Sequence, residues 1–178
     1  MTGGAGVKIF ANASAVVTCA GPAAARRGAE MSDAKVLDGV AVAVTGDRIA
    51  AVGPLAELKK KFPAFSEIDC VGGVLTPGLV DSHTHAVFGK SRAAEQEMRA
   101  SGVGYMEIAR RGGGIHSSVR DLRALSEAEL IKLALPRLRR LMSYGATTVE
   151  IKSGYGLTTE DELKTLGVIG RLANLLPV

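Results

Sequence analysis

The chain has 178 residues, of which 47% are hydrophobic and 22% charged, enough apolar material for a sizeable core and too much for a disordered polypeptide. Its formal charge of +4 is spread along the sequence, with Lys59-Lys60-Lys61 as the main basic run and no aromatics interleaved, which argues against nucleic-acid binding. No apolar stretch approaches the roughly 20 residues of a membrane span.

Two widely separated cysteines, Cys19 and Cys70, form no CxxC and no disulfide framework, and are expected to be free buried thiols in a reducing compartment. No basic-then-apolar pattern precedes Lys8, so no export signal is expected and the chain is placed in the cytoplasm.

In chain order, residues 1–75 read as a β-rich domain. Val7-Lys8-Ile9-Phe10 and Ala15-Val16-Val17-Thr18 have strand composition, and Gly21 to Lys35 reads as a loop. Val40 to Val44 and Arg48 to Val52 flank Gly46-Asp47, a hairpin signal. A short helix is expected over Leu55 to Phe62, and Ile68 to Leu75 as a strand pair broken by Gly72-Gly73.

Residues 76–178 alternate strands with helices, which implies parallel βα units. A strand enters at Gly78-Leu79-Val80-Asp81, and a short helix over Tyr105 to Arg111 is closed by Gly112-Gly113-Gly114. Ser126-Glu127-Ala128-Glu129 is a capping box opening a helix with Leu130, Leu133, Leu138 and Leu141 broadly on one side, in which Pro136 marks a kink or a boundary. Thr147 to Lys152 reads as a strand, and Thr159-Glu160-Asp161-Glu162 as a second capping box.

The chemistry concentrates in Pro77-Gly78-Leu79-Val80-Asp81-Ser82-His83-Thr84-His85. Residues i and i+2 of a strand share a face, so His83 and His85 can converge on one metal ion. An apolar strand running into His-x-His puts the pair at the strand's C-terminal end, where parallel βα barrels carry their active sites. Asp81 shares that face and either orients a ligand or approaches the metal. Glu150 and Lys152 face together and are expected as a buried ion pair; His116 is taken as a loop histidine. Tyr105 either reaches the pocket or packs into the core beside Ile108.

This stretch resembles the signature of the amidohydrolase superfamily. Val87-Phe88-Gly89-Lys90-Ser91-Arg92, Tyr105-Met106-Glu107-Ile108-Ala109, Gly112-Gly113-Gly114-Ile115 and Thr148 to Leu157 (Thr-Val-Glu-Ile-Lys-Ser-Gly-Tyr-Gly-Leu) narrow the resemblance to its imidazolonepropionase family, over most of residues 40–176. The resemblance implies an α/β fold: the N-terminal part of a (β/α)₈ TIM-type barrel, preceded by a small β-sandwich domain and truncated. It implies hydrolysis of the ring amide of 4-imidazolone-5-propanoate to N-formimidoyl-L-glutamate, with one Zn or Fe ion as cofactor and a homodimer in the full-length enzyme. His83 and His85 match two metal ligands. Arg92 matches the arginine that holds the substrate carboxylate, and Tyr155 matches a substrate-contacting tyrosine.

A complete barrel takes about 250 residues, and the family's further histidine and aspartate ligands and its acid/base residues find no match here. The isolated chain is therefore expected to be inactive, with open strand edges that favour self-association. The alternatives are a catalytically inactive fragment, or an amidohydrolase acting on another cyclic amide.

Overall fold

The computed structural model describes residues 6–178. The chain divides into two compact units, the first ending at Pro77 and the second running Gly78–Val178.

In the first unit, β1 (Val7–Ala11), β4 (Ala41–Thr45), β5 (Arg48–Gly53) and β6 (Phe65–Asp69) form a sheet ordered β5-β4-β1-β6. The β4–β5 hairpin turns through Gly46-Asp47, with Gly46 at φ 60°; β1 pairs antiparallel with β4 and parallel with β6. A second sheet joins β2 (Ala15–Val17), β3 (Val36–Leu37) and β7 (Val74–Leu75) in the order β3-β2-β7. The period of two sorts the side chains. Ile9, Ala41 and Ala43 pack with Leu58 of helix α1 (Leu55–Lys61) on one face of the larger sheet. Phe10, Val42 and Val44 on the other face line an apolar cavity of about 250 Å³ with Val16 and Leu75 of the smaller sheet.

Two expectations need correcting in this unit. β6 and β7 do not pair with each other: the turn through Val71 (φ 51°) and Gly72 (φ 73°) sends them into different sheets, beside β1 and β2 respectively. The thiols are free but not buried, for Cys19 is exposed and Cys70 half-buried.

The second unit is built on two parallel strands, β8 (Leu79–Thr84) and β9 (Ala146–Ile151). Gly78 starts β8 so close to β9 that a Cβ there would lie 1.9 Å from Thr147 Oγ1. Four helices connect the strands: α2 (Ala93–Ala100), α3 (Tyr105–Arg110), α4 (Ile115–Ala124) and α5 (Glu127–Ser143). Helix α6 (Thr159–Ala173) follows β9. Leu130, Ala134 and Leu138 of α5 bury against Leu122, Val168 and Leu172, with Ala86 and Val87 beneath.

α5 begins with the expected reciprocal cap, Ser126 Oγ accepting from Glu129 N and Glu129 accepting from Ser126 N. Three details differ from expectation. Pro136 lies inside the helix and so marks no boundary. Leu133 faces outward, because the buried stripe follows the i, i+4 row from Leu130. The cap of α6 is Thr158, whose hydroxyl accepts from Asp161 N, one residue earlier than the expected box. Helices α2 and α4 lie where the periodicity was too short to read, and His116 sits on the first turn of α4 rather than in a loop.

Among the described residues neither β8 nor β9 has a second strand neighbour, and no helix is long and apolar enough to cross a membrane.

Candidate metal and substrate cleft

The end of β8 is pinned to β9. Thr84 Oγ1 donates to the Glu150 carbonyl at 2.9 Å and Lys152 N donates to the Thr84 carbonyl at 2.8 Å. This anchor holds His83 and His85 side by side, their ring centroids 5.6 Å apart and the planes at 66°. His83 is exposed and His85 half-buried. Nδ1 of His85 is buried and has no hydrogen-bond partner, a costly state for an imidazole nitrogen and one that an added electrophile would relieve. The donor chemistry and the orphaned nitrogen therefore fit a transition-metal ion. They fit as a pair only: among the described residues no three His, Cys, Asp or Glu side chains converge. Asp81 turns its carboxylate to the backbone, accepting from His83 N at 3.3 Å.

Tyr155 lies in the loop after β9, its ring 5.0 Å from that of His85 and tilted at 41°. Gly154, at φ 136°, lets the loop come this close, since a Cβ there would meet His85 Cε1 at 3.3 Å. A cleft of about 150 Å³ is lined by His85, Tyr155, Arg92, Lys90 and Phe88, with Ser118 at its floor. Three of the residues singled out from sequence thus share one concavity.

Arg92 also borders a neighbouring cavity of about 260 Å³, and it is there, with Glu95 and Arg99, that Tyr105 is found. Tyr105 is 58% exposed and so is not a core residue. Arg92 Nη1 stands 3.5 Å from Glu95 Oε2, a loose contact that leaves most of the guanidinium fork open. Glu150 and Lys152 do pair, at 2.5 Å, but at the surface rather than buried: their side chains are 52% and 36% exposed. The Lys152 hydrogen bond holds the Glu150 carboxyl below the usual range. The pair faces away from the core because Val149 and Ile151, its alternating neighbours, take the inward positions.

Two groups that sequence reading missed hold the cleft walls. Arg137 of α5 donates to the carbonyls of Ala86 (3.1 Å), Phe88 (2.7 Å) and Gly89 (2.8 Å), and its guanidinium carbon sits 3.5 Å from the centroid of the Phe88 ring. Burial pulls its pKa below the usual arginine value, and no acidic side chain pairs with it among the described residues. Glu162 of α6 takes the amides of the Tyr155 loop. The one available signal was an arginine beside the buried Ala134–Leu138 row, which reads equally as a snorkelling surface residue.

Solved structures show the fold first. The chain superposes on A. niger ochratoxinase with a TM-score of 0.54 at 19% identity, over 96% of this chain and 29% of that one. It superposes on Helicobacter pylori aminofutalosine deaminase with a TM-score of 0.54 at 16% identity, over 97% and 33%. At such identities the likeness is one of fold alone. Sequence narrows it. Residues 41–64 match the family model "Imidazolonepropionase-like composite domain, bacteria". The chain is 45% identical over 167 residues to the imidazolonepropionase of Chloroflexus aggregans, covering 94% of this chain and 39% of the relative. It is 52% identical over 149 residues to that of Aeromonas hydrophila, covering 84% and 36%. Over most of its length the chain is thus similar to imidazolonepropionases, and it spans less than half the length of these relatives.

Proposed function

We propose that this chain carries the first two metal ligands and the carboxylate-reading wall of an imidazolonepropionase, which hydrolyses the ring amide of 4-imidazolone-5-propanoate to N-formimidoyl-L-glutamate. The observation that supports it best is the meeting of His85, Arg92 and Tyr155 in one cleft, with a buried imidazole nitrogen left unpaired. In this reading the two sheets of the first unit form a β-sandwich, and the second unit supplies the opening βα units of a (β/α)₈ barrel.

His83 and His85 would hold the ion, zinc or iron, since imidazole accepts either. The ion when bound supplies Lewis acidity that polarises the ring carbonyl and acidifies water. Arg92 meets the propanoate carboxylate with a bidentate, charge-assisted fork, and Lys90 adds positive charge on the same wall. Tyr155 presents an aromatic face to the planar ring and, with Phe88, keeps that side of the cleft apolar. The imidazolone ring then lies between the carboxylate anchor and the histidines, with its amide toward His85. The setting is a soluble, small-molecule reaction in the cytoplasm.

The test is a chimera in which residues 1–178 replace the matching segment of the Aeromonas hydrophila relative. Hydrolysis of 4-imidazolone-5-propanoate is expected, abolished by His85→Ala and weakened chiefly through a raised KM by Arg92→Ala. An unchanged KM for Arg92→Ala would instead favour an amidohydrolase acting on another cyclic amide. The 178-residue chain alone is expected to show no turnover with zinc or iron, because two imidazoles fall short of the three protein ligands of a catalytic zinc site. Turnover by it would sink that expectation.

A further inference from the structure

The loop that carries Tyr155 has no regular secondary structure of its own, yet it holds the ring against His85. We propose that Glu162 is the positioning residue for Tyr155: from the first turns of α6 its carboxylate gathers the amides of Gly154, Gly156 and Leu157 and so sets where the tyrosine ring stands.

The bonds are short and converge on one group. Glu162 Oε2 accepts from Gly154 N at 2.6 Å, and Oε1 accepts from both Gly156 N and Leu157 N at 2.8 Å. Tyr155 is the residue between the two tethered glycines. An acidic residue near a helix start ordinarily answers to that helix's own dipole; this one serves a neighbouring loop, while Asp161 and the Thr158 hydroxyl take care of the cap. Burial pushes the Glu162 carboxyl up, but the amides and the Ser153 hydroxyl outweigh it and hold it below the usual range.

Two further features make the tether directional. A Cβ on Gly156 would lie 2.7 Å from Asp161 Cβ, so the loop lies directly on the start of α6. The Gly156 carbonyl accepts from Arg123 Nε at 2.8 Å, and the same nitrogen stands 3.1 Å from Asp161 Oδ2. With its amides turned to Glu162 and a carbonyl fixed by Arg123, the loop leaves Tyr155 free to project toward His85, 5.0 Å away.

The consequence for catalysis rests on the reading of Tyr155 as a substrate contact; the placement of Tyr155 by Glu162 does not. The chain has no tryptophan and three tyrosines, so Tyr105→Phe with Tyr144→Phe leaves Tyr155 as the sole tyrosine reporter. In that background Glu162→Gln is expected to raise acrylamide quenching of Tyr155 by about threefold, as the loop exchanges a fixed state for an open one. Unchanged quenching alongside a lowered Tm would overturn the proposal, since it would mean a structural role only. Should Glu162→Gln fail to fold, amide hydrogen exchange in the unsubstituted chain decides. Joint protection of Gly154, Gly156 and Leu157 supports the tether, and free exchange at these amides overturns it. Neither readout needs metal or turnover, so failure of the enzymatic reading and failure of this one are separable.

Discussion

Two loops wall the cleft, and they are held by opposite charges. The segment after His85 turns its carbonyls to the Arg137 guanidinium, whereas the segment around Tyr155 turns its amides to the Glu162 carboxylate. Irregular backbone must find partners for its polar groups, and here one charged side chain from a helix satisfies three of them in each loop. The difference lies in what each holder can do. Arginine keeps its charge throughout the accessible pH range, and its planar fork fixes carbonyls in a set geometry. A carboxylate can be neutralised. The His85 wall is thus permanently clamped, and the Tyr155 wall is clamped only while Glu162 is ionised.

The largest effect expected separates the walls by ligand. Zinc affinity of the 178-residue chain, followed by calorimetric titration, should fall by about 100-fold or more in His85→Ala and stay the same in Tyr155→Phe. A loss in Tyr155→Phe would break the division of labour. Next, Arg137→Met should cost about 2 kcal/mol in urea unfolding, from three carbonyls losing a charged donor and from the lost contact with the Phe88 ring. Arg137→Lys should recover only part of it, because an ammonium cannot span the three oxygens.

Acid should unlock one wall and not the other. The folded-state pKa of Glu162 is depressed, so its contribution is fully present above the unfolded-state value and is lost as pH falls through the folded one. Below the usual glutamate range, amide exchange at Gly154, Gly156 and Leu157 should therefore accelerate before Phe88 and Gly89 become mobile. Simultaneous release would mean that Arg137 and Glu162 hold a single element. The smallest effect belongs to the exposed pair beside the cleft: Lys152→Ala should leave Tm unchanged, as surface ion pairs contribute little, and a clear drop would make it part of the clamp.

Much of this was legible beforehand where the signal is local. The β4–β5 hairpin follows from Gly46-Asp47 between β-branched runs, and the start of α5 from Ser126 and Glu129. His83 and His85 declare themselves by spacing, since a strand places i and i+2 on one face. Cap placement at α6 slipped by one residue because Thr158 and Thr159 are equivalent in sequence and only the loop before them selects Thr158 as the cap. The short helices α2 and α4 escaped because their apolar faces repeat too few times to establish a period.

What the sequence by itself determined is the histidine pair at the end of β8, the likeness to imidazolonepropionases and the alternation of strands and helices, all of them properties of contiguous residues. The tertiary structure alone decided which side chains serve the site from a distance. Arg137 lies 48 to 51 residues from the carbonyls it binds, and an arginine on a helix has the same local pattern whether it meets solvent or a buried loop. Only packing of α5 beneath residues 86–89 turns it into a clamp. Burial of the His85 nitrogen likewise depends on the Tyr155 loop closing over it, a contact between residues 70 positions apart whose physical cause lies in the parallel pairing of β8 with β9.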